Sequence, residues 1–105
     1  MTRLKLSDFA ELQRAFSGYL HEDFLDEYGS PGAALRAFHR DADHAERLRF
    51  WTEARRFVEQ TARLDFTEVR ALLAGLGCRW TPPSRRALVA LLTETAHPPA
   101  DGHQK

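Results

Sequence analysis

A chain of 105 residues, 43% hydrophobic and 29% charged, has the composition of an ordinary globular protein and the length for one core. Its 15 basic and 15 acidic residues cancel, so no overall field draws it to nucleic acid or to a charged membrane. One cysteine, Cys78, excludes an internal disulfide and a multi-cysteine zinc site, and no run of about 18 residues is free of charge as a membrane span requires.

The opening "MTRLKLSDF" has no apolar run long enough for a secretory signal, so the expected location is the cytoplasm. Ser7 is a candidate N-cap for a first helix over about Asp8 to Leu20, in which Phe9, Leu12, Phe16 and Leu20 recur at helical steps on one face. The helix fades into an acidic stretch, "YLHEDFLDEYG", Tyr19 to Gly29. Then "GSPG" reads as a stop and a start: Gly29 ends one segment, Ser30 caps the next, and Pro31 takes the first helical position. Leu35 and Phe38 anchor this second helix. Asp41 or Asp43 caps the third and longest element, where Leu48, Trp51, Ala54 and Val58 form one stripe and Phe50, Phe57 and Leu64 lie beside it. A face that wide predicts the central helix of a bundle.

Asp65 or Thr67 opens a fourth helix that buries Val69, Leu72, Leu73 and Leu76, with Gly77 as a left-handed C-terminal cap. The prolines Pro82 and Pro83 keep Trp80 in an extended connector, and Thr81 or Ser84 starts a fifth helix with Leu88, Leu91 and Leu92 inward. The segment from His97 on is polar and expected to fray. The pattern predicts an all-α fold: a single compact bundle of about five short helices in one domain over residues 1–96, mostly joining sequence neighbours, followed by a polar tail over 97–105. No heptad seam is long enough to demand a dimer, so a monomer is expected.

The acidic stretch is the most chemically pointed part of the chain, with Glu22, Asp23, Asp26 and Glu27 inside six positions. His21, Glu22, Asp23 and Asp26 could offer nitrogen and oxygen to a divalent metal, but their spacing matches neither a His-Glu-x-x-His helix nor a calcium loop. A solvated helix end, with Phe24, Leu25 and Tyr28 turned inward, accounts for most of these residues taken singly. A negative contact surface for a basic partner is compatible with that reading. Catalysis finds no convincing residue set: the acids are too close in sequence for a glycosidase cleft, Cys78 sits just past an apolar helix end, and Gly75 and Gly77 form no phosphate loop. The arginines Arg47, Arg55, Arg56 and Arg63 are interleaved with Glu46, Glu53 and Glu59, which favours a mutually paired face over a DNA-recognition helix.

The run "FSGYLHEDFLDEYGSPGAALRAF" resembles the signature of a family of small α-helical immunity proteins from contact-dependent growth inhibition systems. Tyr19, His21, Asp23 and Phe24 fall on its aromatic and histidine element; Glu27, Tyr28 and Gly29 fall on its acid-Tyr-Gly turn. "ALLAGLGCRWTPP" resembles the family's closing motif through Leu76, Gly77, Cys78, Trp80 and Pro82. The likeness spans roughly Phe9 to Leu92. Phe24 stands where the family often has Trp, Glu22 where Gln is common, and the long middle helix has no distinctive pattern to compare.

The resemblance implies a protein without catalysis and without metal or cofactor, which binds the C-terminal toxin domain delivered by a neighbouring cell. Many such toxins are nucleases, basic because their substrates are polyanions. On this expectation Glu22, Asp23, Asp26 and Glu27 meet toxin cations, and Tyr19, His21, Tyr28 and Trp80 complete the partner-binding set. The same residues could instead build the fold, Tyr28-Gly29 as a helix stop and Trp80 as a plug, with the toxin on the arginine-bearing helix. The other readings are a small helical adaptor or nucleic-acid-linked regulator, and a metal-dependent hydrolase around His21.

Overall fold

Helix starts and stops read from the chain recur in the computed structural model, which describes residues 5–95, with side chains to Thr93. A 3-10 turn over Leu6–Phe9 leads into α1, Ala10–Tyr19, followed by the five-residue α2, Phe24–Tyr28. Then come α3, Pro31–Asp41; α4, His44–Gln60; α5, Phe66–Gly75; and α6, Arg85–Thr95. The described residues contain no strand. The tail beyond 95 lies outside them, as does the expected domain end at residue 96.

Several boundaries have a local cause. Ser30 Oγ accepts the Ala33 N–H at 3.1 Å with Pro31 at the first helical position of α3. Asp43 and Glu46 form a reciprocal capping box at the start of α4, each side chain taking the other's backbone N–H at 2.8 Å. Ser84 Oγ accepts the Ala87 N–H at the start of α6. Gly77, at φ +89°, closes α5: the Cys78 N–H reaches Leu73 O and the Gly77 N–H reaches Ala74 O, both at 3.0 Å, the paired bonds of a Schellman ending.

Other ends are closed from a distance, which corrects the expectation for α1. Ser7 lies inside the 3-10 turn and caps nothing; the helix proper begins at Ala10, without a local side-chain cap. Its Glu11 and Leu12 N–H groups donate instead to Glu53 Oε1, from the middle of α4, at 2.9 and 3.1 Å. Arg47 of α4 donates to His39 O and Ala42 O at the end of α3. Arg85 of α6 donates to Thr61 O and Leu64 O, just past α4. Orphan groups at helix ends need partners wherever the fold can supply them, and here three long charged side chains do so.

α1 is covered by both α3 and α4, α3 also meets α2 and α6, and α4 meets α6. The main pairings therefore join helices mostly distant in sequence, and α1 and α3 share the central place expected of α4 alone. Phe9, Phe16, Phe50 and Phe57 are fully buried with Leu12, Leu20, Leu35, Leu73, Leu76 and Leu92. Phe9 meets Phe57 edge-on with centroids 5.5 Å apart. On α4 the buried line is Phe50, Ala54, Phe57, while Leu48 is 43% exposed and Trp51 and Val58 are half-buried. Of the predicted stripe, Ala54 thus lies in the core, and Leu48, Trp51 and Val58 lie at its margin. Phenylalanine removes more apolar area than leucine, so the helix turns its aromatic line inward.

Candidate protein-binding site

The chain leaves α1 at Leu20, whose carbonyl accepts the Arg79 N–H at 2.8 Å. That bond ties the acidic segment to the α5–α6 connector. Gly77 packs there against α1 so closely that a Cβ on it would stand 2.9 Å from Ser17 Cβ. Phe24, 6% exposed, pins α2 to the core. Gly29, at φ +90°, ends α2 with its N–H on Leu25 O at 2.9 Å. Asp26 and Glu27 therefore sit on a short helix held at both ends, against α3, with Glu22 and Asp23 in the turn that leads into it.

His21 braces the turn before α2. Its Nδ1 accepts the Asp23 N–H at 3.1 Å, which puts the ring proton on Nε2, 2.8 Å from Glu27 Oε1. Both ring nitrogens and one carboxylate are committed inside the segment. Tyr19 is half-buried: it stacks on Tyr28 at 6.0 Å, meets Phe38 edge-on at 5.6 Å, and donates its hydroxyl to Asp41 at 2.8 Å. Burial, and then the Asp41 carboxylate that it faces, push the Tyr19 phenol up to about 12. Tyr28 is raised too, first by burial and then by the Glu27 charge.

Glu22, Asp23 and Asp26 are exposed, and among the described residues no ion pair engages their carboxylates. Between them, Leu25 is 59% exposed, against the expectation that it turns inward. A five-residue helix has room for one inward face, which Phe24 and Tyr28, four apart, occupy; Leu25 is left outside. Trp80 lies in the predicted connector, half-buried against the core, its carbonyl accepting from Cys78 Sγ at 3.3 Å. The backbone bond at Arg79 joins the segment to the connector that carries Trp80.

The candidate residues divide into two kinds. Tyr19, His21, Tyr28 and Trp80 have contacts that build this corner of the fold. Glu22, Asp23 and Asp26, with Leu25, form its outward surface, and Glu27 belongs partly to each. Leu25 is the member that sequence reasoning missed; the i,i+4 pairing of Phe24 with Tyr28 is the signal that could have found it.

The remaining chemistry-bearing groups are placed as follows. Among the described residues no three His, Cys, Asp or Glu side chains come together to hold a metal ion, so the donor set of the hydrolase reading is not assembled. Cys78 is buried, and burial pushes its thiol up to about 11. The acid most enclosed is Glu11, 5% exposed, which the sequence reading did not single out. It binds Arg14 and Arg49, each at 3.1 Å, and Arg14 continues to Glu46 at 3.0 Å. Arg55 pairs with Glu59 at 3.5 Å and lies 5.1 Å above the Trp51 ring. Arg47 and Arg49 of α4 are thus engaged within the molecule, while Arg55, 60% exposed, makes a longer pair at the surface. None of the described helices is long and apolar enough to cross a membrane. Comparison with known proteins finds no matching family model, no matching curated protein and no matching solved structure.

Proposed function

We propose that this protein is a non-catalytic inhibitor, an immunity protein that neutralises the toxin domain of a contact-dependent growth inhibition system in the cytoplasm. The observation that carries the reading is the outward surface of α2 and the turn before it: three uncommitted carboxylates beside an exposed leucine, on a segment pinned at both ends. Rigid, uncompensated charge of one sign steers a partner of the other sign and fixes its register. A nuclease domain, basic because it binds phosphates, has the matching charge. The partner is assigned from the resemblance in "YLHEDFLDEYG" and "GLGCRWTPP". The surface itself requires only a basic protein.

Co-expression with the toxin domain encoded beside the gene is the direct test. Growth should be rescued, and the purified proteins should form a one-to-one complex that associates more slowly as salt rises. Reversing Glu22, Asp23 and Asp26 to Arg should slow association about tenfold or more while leaving the fold intact. Absence of both rescue and complex would remove the toxin reading. A complex indifferent to the reversals would move the interface elsewhere. The adaptor reading draws less support, because Arg47 and Arg49 have partners within the molecule and Arg55 shares its surface with the paired Glu59.

A further inference from the structure

α4 carries more apolar surface than the core takes in. The surplus lines a groove of about 320 Å³ between α4 and α6, formed by Trp51, Ala54 and Val58 on one side and Leu92 on the other. Arg55, paired with Glu59, lies along its rim over Trp51, and Arg56 lines the adjoining cleft. At α2 the relation is inverted: Leu25, the most exposed large apolar side chain described, is flanked in the chain by the exposed acids Glu22, Asp23, Asp26 and Glu27. One surface is an apolar hollow whose rim carries two guanidinium groups and one carboxylate, the other an exposed leucine flanked by acids.

We propose that the groove receives Leu25 of a second copy of this chain, with Arg55 and Arg56 facing the carboxylates around it. A second copy is the occupant because the molecule itself presents both an exposed apolar side chain flanked by acids and an apolar groove whose rim carries more positive than negative charge. Its formal net charge of zero also leaves no overall repulsion between copies. The contact is heterologous: knob and groove are different patches, so a pair joined this way keeps one of each free and association runs head to tail. One leucine with a ring of exposed charges makes a small, transient interface that weakens with salt. The inference goes beyond the toxin reading and holds whether or not a toxin also meets α2.

Sedimentation of the full chain from micromolar to millimolar concentration tests it, with two surface variants whose fold is checked by circular dichroism. The wild type should gain mass above a single chain as concentration rises and lose it as salt rises. Leu25→Lys removes the knob, and the double change Arg55→Glu with Arg56→Glu inverts the groove's rim. Each variant alone should stay at single-chain mass. Mixed in equal amounts they should form a one-to-one heterodimer and nothing larger, because one retains its groove and the other its knob. A wild type of single-chain mass throughout would overturn the proposal, even if its groove proved to hold some other occupant. So would variants that still associate, or a mixture that does not.

Discussion

The side chain that most tests this account of the fold is Glu53. It sits mid-helix on α4, where sequence alone makes it one more surface acid, yet its Oε1 accepts the Glu11 and Leu12 N–H groups in the first turn of α1. Replacing Glu53 with Ala orphans both. Loss of an N-terminal cap costs about 1 kcal/mol, and hydrogen bonds to a charged acceptor about 1.5–3 kcal/mol each. Against this, burial first, and the nearby Glu11 carboxylate as well, raise the Glu53 carboxyl above its ordinary value of 4.5, so the charged form sits there at some cost that the substitution relieves. A net loss of about 1.5 kcal/mol follows, lowering Tm by roughly 6–12 °C in a domain of this size. Glu53→Gln keeps an acceptor oxygen and removes the charge, so its loss should stay below about 1 kcal/mol.

The pH dependence separates these terms. A carboxyl whose pKa is raised by folding binds its proton more tightly in the folded chain, so its contribution is fully present below the unfolded value and is lost as pH rises through the folded one. The wild type should lose that contribution as pH rises from 4.5 through the raised value, and Glu53→Gln should not. The gap between them in urea unfolding should therefore narrow as pH rises across that window. An Ala variant as stable as the wild type would refute the long-range cap; a gap that widens would instead show that the N–H bonds to the carboxylate outweigh its burial.

Gly29→Ala and Gly77→Ala both force a side chain into positive φ, but nothing lies near the first, whereas the second meets Ser17 at 2.9 Å. The first should cost about 1 kcal/mol and the second about 1–2 kcal/mol more in chemical denaturation, and equal losses would deny the close approach of the connector to α1. Phe57→Ala, at a fully buried position, should cost about 3–5 kcal/mol, while Leu48→Ala should stay within about 0.5 kcal/mol; similar values would mean that the core line on α4 is misassigned. Cys78, buried and raised to about 11, should react with a thiol reagent at pH 8 more than about tenfold slower in the folded chain than in denaturant, and comparable rates would show the connector open.

Features that depend on neighbours in the chain are legible without the fold. Ser30-Pro31, Asp43 with Glu46, Ser84 and the paired turn at Gly77 set helix ends through groups a few residues apart, and the spacing of Phe9, Leu12 and Phe16 set an inward face. The acidic segment is legible too, since charge density along a chain needs no fold to be visible. Only the tertiary structure decided which of those charges are available. Glu53, Arg47 and Arg85 close the ends of other helices, Glu11 disappears into a pair of arginines, and His21 turns back on Glu27. Leu25 and Asp26 are left outside because a five-residue helix pinned by Phe24 and Tyr28 has no second face to bury, and Glu22 and Asp23 stay exposed in the turn before it. The physical reason is reach: a cap or an apolar step acts within one turn of its own helix, whereas a long charged side chain finds its partner only once another helix has been laid beside it.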